Sequence, residues 1–186
     1  SAAERGRSTA YRGVVLDPPL PKPEFTLTAT NGKPFDFRKE TDGSLTLLYF
    51  GYTNCPDICP VHLANIAAVL KRLPFEVASR TKVVFVTTDP ERDSLLRIRS
   101  WLDNFDPSFI GLRGSLDEVN KIQAQLHLGA AVKQPGTGKD YAVGHAAQVI
   151  AFTPDNEAHV VYPFGTRQED WANDLPKLVR DRWSPR

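Results

Sequence analysis

The chain carries two cysteines, and they stand together as Cys55-Pro56-Asp57-Ile58-Cys59. Two sulfurs four residues apart in a tight turn can face one point. They can close a disulfide or hold one metal ion. Pro60 follows at once and predicts that Cys59 sits at the N-terminus of a helix. There the helix dipole and the N–H groups of the first turn favour the thiolate, the form that reacts and ligates. The plain alternative is a structural bridge or two packed thiols. A bridge across so small a loop would add little stability, which favours a functional pair. A missing methionine removes thioether sulfur from the possible ligands.

Four histidines can complete a site: His62, His127, His145 and His159. His62 falls three residues after Cys59, although an exposed helical position is its ordinary reading. His127 is read as a structural helix end and His159 as a surface residue of a hairpin. His145 lies in Tyr141-Ala-Val-Gly-His-Ala-Ala, just ahead of an apolar strand, with Gly144 giving the backbone room. Asp89 precedes a proline and is read as the N-cap of a following helix. Asp57, between the cysteines, is a turn former that can also tune the thiolates by charge.

These residues need elements to place them. The chain has 186 residues, 41% hydrophobic and 24% charged, and a formal net charge of +1. That fits one folded domain with tails and argues against a protein that binds nucleic acid by neutralising phosphates. Residues 1 to 24 read as a tail and a proline-rich linker, with the domain over 25 to 186. No stretch approaches the ~18 apolar residues of a membrane span. The absent initiator methionine implies that a segment preceding Ser1 has been removed.

Glu24–Thr30, the turn Asn31-Gly32 and Pro34–Phe37 predict a β-hairpin. Leu45–Phe50 and Val83–Thr88 read as buried central strands. Helices are expected from Pro60, over Leu95–Phe105, and from the capping box Ser115/Glu118 to Gly129. Ala147–Phe152 and Glu157–Tyr162 predict a second hairpin, and a last helix begins near Gln168, kinked or restarted at Pro176. This order points to an α/β fold, a thioredoxin-like three-layer sandwich with an added N-terminal β-hairpin. In such a fold the segment holding His145 approaches the cysteine loop.

Three ordered motifs then resemble one family. Gly51–Pro60 (GYTNCPDICP), Thr87–Leu95 (TTDPERDSL) and Asp140–Glu157 (DYAVGHAAQVIAFTPDNE) are similar to segments of the Sco copper proteins. The resemblance runs from about Leu16 to about Val179. It implies copper binding, one ion per chain as Cu(I) and also Cu(II), through Cys55, Cys59 and His145, with Asp89 and Asp57 nearby. Thiolate and imidazole ligands suit that metal, and three protein ligands leave a position for a partner's sulfur. The resemblance further implies a metallochaperone that delivers copper to, or prepares, the dinuclear copper site of cytochrome c oxidase subunit II. A copper donor protein and a thiol-disulfide reductant would be its other partners. It implies a place on the outer face of the cell membrane, or at the mitochondrial inner membrane, through a removed N-terminal anchor. Asn54, Thr88 and Ala146 depart from residues common in the family.

A thiol-disulfide oxidoreductase, with Cys55 and Cys59 as its redox pair, is the nearest rival. Its usual C-x-x-C spacing is one residue shorter, and no proline stands at Gly144-His145-Ala146, where thioredoxins carry one. The P-x-x-x-T-x-x-C motif of thiol peroxidases would need a proline at Leu48 and a threonine at Tyr52. Gly136-Thr-Gly-Lys139 lacks the first glycine and the final Ser/Thr of a phosphate-binding loop. A docking module without chemistry would need neither cysteine.

Overall fold

The computed structural model describes residues 11–56, 58–128, 132–133, 143–144 and 148–183. Its centre is β4 (Leu45–Gly51), in which all seven residues are buried. A strand buried on both faces needs a helix layer on each side, and the chain supplies them. β5 (Thr81–Thr87) and β6 (Ile110–Arg113) continue the sheet in parallel with β4. β9 (Val149–Phe152) lies antiparallel on the other side of β4, followed by β10 (Glu157–Tyr162) and β1 (Val14–Pro21). β2 (Thr26–Ala29) and β3 (Pro34–Asp36) extend the far edge, giving the order β1-β10-β9-β4-β5-β6-β2-β3.

Alternation along β4 feeds two cores. Leu47, Tyr49, Val83 and Phe85 face one, with α2 (Ile58–Arg72), α3 (Phe75–Ala78), α4 (Leu95–Asp103) and α6 (Gln168–Arg180). Leu48, Phe50, Val84 and Val86 face the other, with α1 (Phe37–Glu40) and α5 (Leu116–Gln125). Each fully buried Leu or Phe contributes about 1.5–3 kcal/mol. The three-layer sandwich and its added hairpin, expected from the sequence, are both present.

Several elements differ from their sequence reading. β6 was not legible: it has four residues, and Gly111 stands inside it. A Cβ at Gly111 would meet Ile98 Cγ2 at 2.4 Å, so the glycine lets α4 press onto the sheet. The proline-rich segment is not a spacer over Val14–Pro21; it is edge strand β1. An edge strand tolerates prolines because one row of its N–H groups has no partner strand. The domain therefore includes Tyr11, which is buried, and the backbone N–H groups of Arg12 and Gly13, which donate to Asp174. Helix α5 ends at Gln125, with Leu126 as its cap and His127 at positive φ, ahead of Gly129, which lies outside the described residues. Helix α6 runs without a break through Pro176. Residues 132–133 and 143–144 pair as the two-residue strands β7 (Val132–Lys133) and β8 (Val143–Gly144).

Candidate metal centre

Parallel pairing of β4 with β5 brings the loops that follow them to one end of the sheet. Gly51 pairs with Thr87 there, and the Thr88 N–H donates to the Gly51 carbonyl at 2.7 Å. Thus the cysteine loop and the Asp89–Asp93 loop emerge side by side. β9 runs antiparallel to β4, with Val149 opposite Tyr49. The chain therefore enters β9 at this same end.

Helix α2 begins at Ile58, so Cys59 lies in its first turn, two residues earlier than Pro60 suggested. The Cys59 N–H is one of the groups a first turn leaves without a helical acceptor. It donates to Cys55 Sγ at 3.5 Å. The Cys55 N–H in turn donates to the Tyr52 carbonyl at 3.1 Å, which closes the turn. Both cysteines are free. The two are unequal: Cys59 is 0% exposed and Cys55 8%. Cys59 Sγ rests against Gly51, where a Cβ would come within 2.7 Å of it, and accepts from the Tyr49 hydroxyl at 3.4 Å.

The expected thiolate at the helix N-terminus is not what the surroundings favour at Cys59. Burial pushes its thiol well above the ordinary range, and the hydrogen bond with Cys55 raises it further. The donor hydrogen bond from Tyr49 pulls the other way and is outweighed. Tyr49 is likewise raised by burial and by Cys59 beside it. A neutral, buried thiol releases its proton when a cation takes its place, because the metal supplies the charge that burial withholds. Two adjacent buried sulfurs form a soft donor pair that fits copper or zinc.

Asp89 is not a helix cap. Helix α4 begins six residues later, with the Ser94 hydroxyl accepting from the Arg97 N–H at 3.1 Å. The stretch between is a single turn in which the Asp93 N–H bonds the Asp89 carbonyl. Asp89 is 3% exposed, and its carboxylate accepts from Arg92 Nε. The Arg92 guanidinium lies 5.9 Å from the centre of the Tyr52 ring, which links Asp89 to the cysteine loop.

Asp93 makes the stronger link, and sequence reasoning missed it. Fully buried, it accepts from the Thr53 N–H (3.1 Å), the Thr53 hydroxyl (2.6 Å) and the Thr87 hydroxyl (2.7 Å). Arg97 stands 3.7 Å from the same carboxylate and donates to Thr53 Oγ1 and Asn54 Oδ1, each at 2.7 Å. The carboxylate and guanidinium thereby hold the two residues ahead of Cys55. The available signal was the second aspartate of Asp89-Pro-Glu-Arg-Asp93. Tyr49 was also missed, although a phenol inside the run LTLLYF is an anomaly that asks for a buried partner.

His62 is 2% exposed, not a surface residue. Its ring meets Tyr49 edge-on at 5.2 Å and Phe164 at 6.0 Å. Among the described residues, the donor atoms of Cys55, Cys59 and His62 do not form a mutually close set; those of Asp155, Glu157 and His159 do, within 4.8 Å. That second group sits in the β9–β10 turn, at the opposite end of the sheet from the cysteines. His159 is also buried, against expectation, stacked on Trp183 at 4.0 Å with Nε2 2.9 Å from Asp155. Burial alone would raise the Asp155 carboxyl, but hydrogen bonds from His159 and Thr153 outweigh it and lower it. His145 and Asp57 lie outside the described residues.

Comparison with known proteins follows the same lines. The SCO1/SenC family matches residues 16–180. A Stutzerimonas stutzeri protein named for copper binding is 32% identical over 84% of this chain and 76% of its own length. The mitochondrial Protein SCO2 homolog of Bos taurus is 30% identical over 82% of this chain, which spans 57% of that relative. Among solved structures, Bradyrhizobium japonicum ScoI with copper bound superposes with a TM-score of 0.75 at 32% identity. That match covers 86% of this chain and 99% of the other. With this fold, this cysteine pair and these matches, the chain belongs to the SCO1/SenC family.

Proposed function

We propose that this protein binds one copper ion through Cys55, Cys59 and His145 and delivers it to, or prepares, the dinuclear copper site of cytochrome c oxidase subunit II. The observation that carries the reading is the pair of buried sulfurs at the end of β4, with Cys59 fully enclosed and its N–H on Cys55 Sγ. An enclosed ligand keeps the ion, and a set of three protein ligands leaves a position for a partner's sulfur. Entry of the chain into β9 at this end supports His145 as the third ligand, four residues before Val149. The Arg92–Tyr52 link supports Asp89 as a residue that shapes the site or meets the partner, and Asp57 adds charge inside the turn. A donor protein supplies the copper, and a reductant keeps both cysteines as thiols. An N-terminal anchor ahead of the domain holds it on the outer face of the cell membrane or at the mitochondrial inner membrane. No helix among the described residues is long and apolar enough to cross a membrane.

One observation favours a second reading: the two cysteines are free and share one turn, with the Cys59 N–H on Cys55 Sγ at 3.5 Å. Closing them to a disulfide would reduce a target disulfide to two thiols, with two electrons passed and no copper carried. A spacing one residue longer than C-x-x-C places copper first. In cells lacking this protein, the wild type should restore cytochrome c oxidase and the Cys55→Ser/Cys59→Ser variant should not. Full restoration by the variant would refute both readings.

A further inference from the structure

We propose that Tyr49 is a positioning residue for the metal centre. Its hydroxyl holds the Cys59 sulfur by a donated hydrogen bond and, with copper bound, favours Cu(I) over Cu(II). The inference rests on the reading of Cys59 as a copper ligand and adds to it a residue outside the ligand set.

The placement follows from the strand. Residues 49 and 51 of β4 point to the same face because side chains alternate. Gly51 leaves the space that Cys59 Sγ occupies, and Tyr49 supplies the hydroxyl that reaches it at 3.4 Å. The Tyr49 ring is 1% exposed, with His62 edge-on at 5.2 Å and Phe85 at 6.5 Å. Its neighbours thus fix where the oxygen sits. A phenylalanine would fill the same space. The hydroxyl is an added polar group in a strand made mainly of Leu, Phe and Tyr, and burying it is costly without a partner. The sulfur of Cys59 is that partner.

The direction of the bond is set by chemistry. A cysteine that ligates copper is a thiolate and has no proton to give. The Tyr49 O–H must therefore donate. A donated hydrogen bond withdraws electron density from the sulfur. Cu(II) depends more than Cu(I) on electron donation from thiolate, so a weakened donor favours the reduced ion. Hydrogen bonding around a cysteine sulfur is an established lever on copper potentials.

The test compares wild type, Tyr49→Phe and a protein with 3-fluorotyrosine at position 49. Fluorine makes the phenol a stronger donor while keeping its shape. Three quantities are read: the energy of the sulfur-to-Cu(II) charge-transfer band, the Cu(II) and Cu(I) affinities against chelators, and the copper potential. In Tyr49→Phe the band should move to lower energy. The ratio of Cu(II) to Cu(I) affinity should rise roughly three- to tenfold, which is a fall of roughly 30–60 mV in potential. The fluorinated protein should shift each quantity the opposite way, so a failure of the Phe variant to fold leaves the test intact. Unchanged bands and ratios in both proteins would overturn the role of Tyr49 while leaving the copper site standing. A wild type that takes up no copper would overturn both.

Discussion

At the scale of residues, the site is a matter of which atoms were left small and which were left polar. Cys55 and Cys59 were legible because two cysteines at this spacing admit few uses. The complete enclosure of Cys59 was not, since it depends on the space that Gly51, at the end of β4, leaves for its sulfur. That glycine gives a sharp prediction. In Gly51→Ala the new methyl would meet Cys59 Sγ at 2.7 Å, Phe85 at 3.1 Å and Tyr49 at 3.2 Å. None of these neighbours is at the end of a flexible side chain. Overpacking of this kind costs about 1–3 kcal/mol, and chemical denaturation should find a loss in that range. A variant as stable as wild type would show that the sulfur does not sit where described. Asp93 was illegible for a different reason. A buried carboxylate looks like any surface aspartate until Thr53, Thr87 and Arg97 are seen to converge on it.

At the scale of elements, strands with strong apolar runs and helices with side-chain caps were read well. β4, β10 and the Ser115/Glu118 capping box fall where the sequence puts them. Errors came where a short element lacks a pattern or where a residue acts against type. β6 is four residues long, too few for a period to show. The end of α5 is the other case. His127 takes φ 58°, and its N–H bonds the Ala124 carbonyl at 3.1 Å while the Leu128 N–H bonds Gln123 at 2.8 Å. This is the Schellman pattern, in which glycine is the usual residue at the left-handed position. A residue with a Cβ is strained there by roughly 1–2 kcal/mol. His127→Gly should therefore raise the stability by about 1 kcal/mol, seen as a higher thermal midpoint. A lower midpoint would mean that the histidine ring makes contacts worth more than the strain it causes.

At the scale of the whole molecule, the N-terminal segment is the main revision. The prolines suggested a spacer, yet β1 closes the sheet, and the next residue, Lys22, is 2% exposed. Its Nζ donates to the Thr41 carbonyl, Thr46 Oγ1 and Asn156 Oδ1, and lies over Phe37 and Phe152. Burial lowers its pKa from 10.5 to about 8, with Asp42 opposing the shift. Between those values the unfolded chain holds a proton that the folded chain has released. Stability from this group is therefore full above pH 10.5 and is lost as pH falls toward 8. The magnitude is on the order of 2 kcal/mol. The slope of stability against pH in that window should be flatter in Lys22→Met than in wild type. Equal slopes would show that Lys22 titrates normally. No sequence pattern announces a buried lysine, because Phe37, Thr41, Thr46, Phe152 and Asn156 come together around it only in the fold.

The central claim is that the two sulfurs at the end of β4 hold copper. An anaerobic titration of the reduced protein with Cu(I), against a competing chelator, tests it most directly, with Cys55→Ser/Cys59→Ser and His145→Ala alongside. The wild type should take up one equivalent per chain, the double serine variant none, and His145→Ala one equivalent held more weakly. Uptake by the double serine variant equal to that of wild type would contradict the assignment of the site.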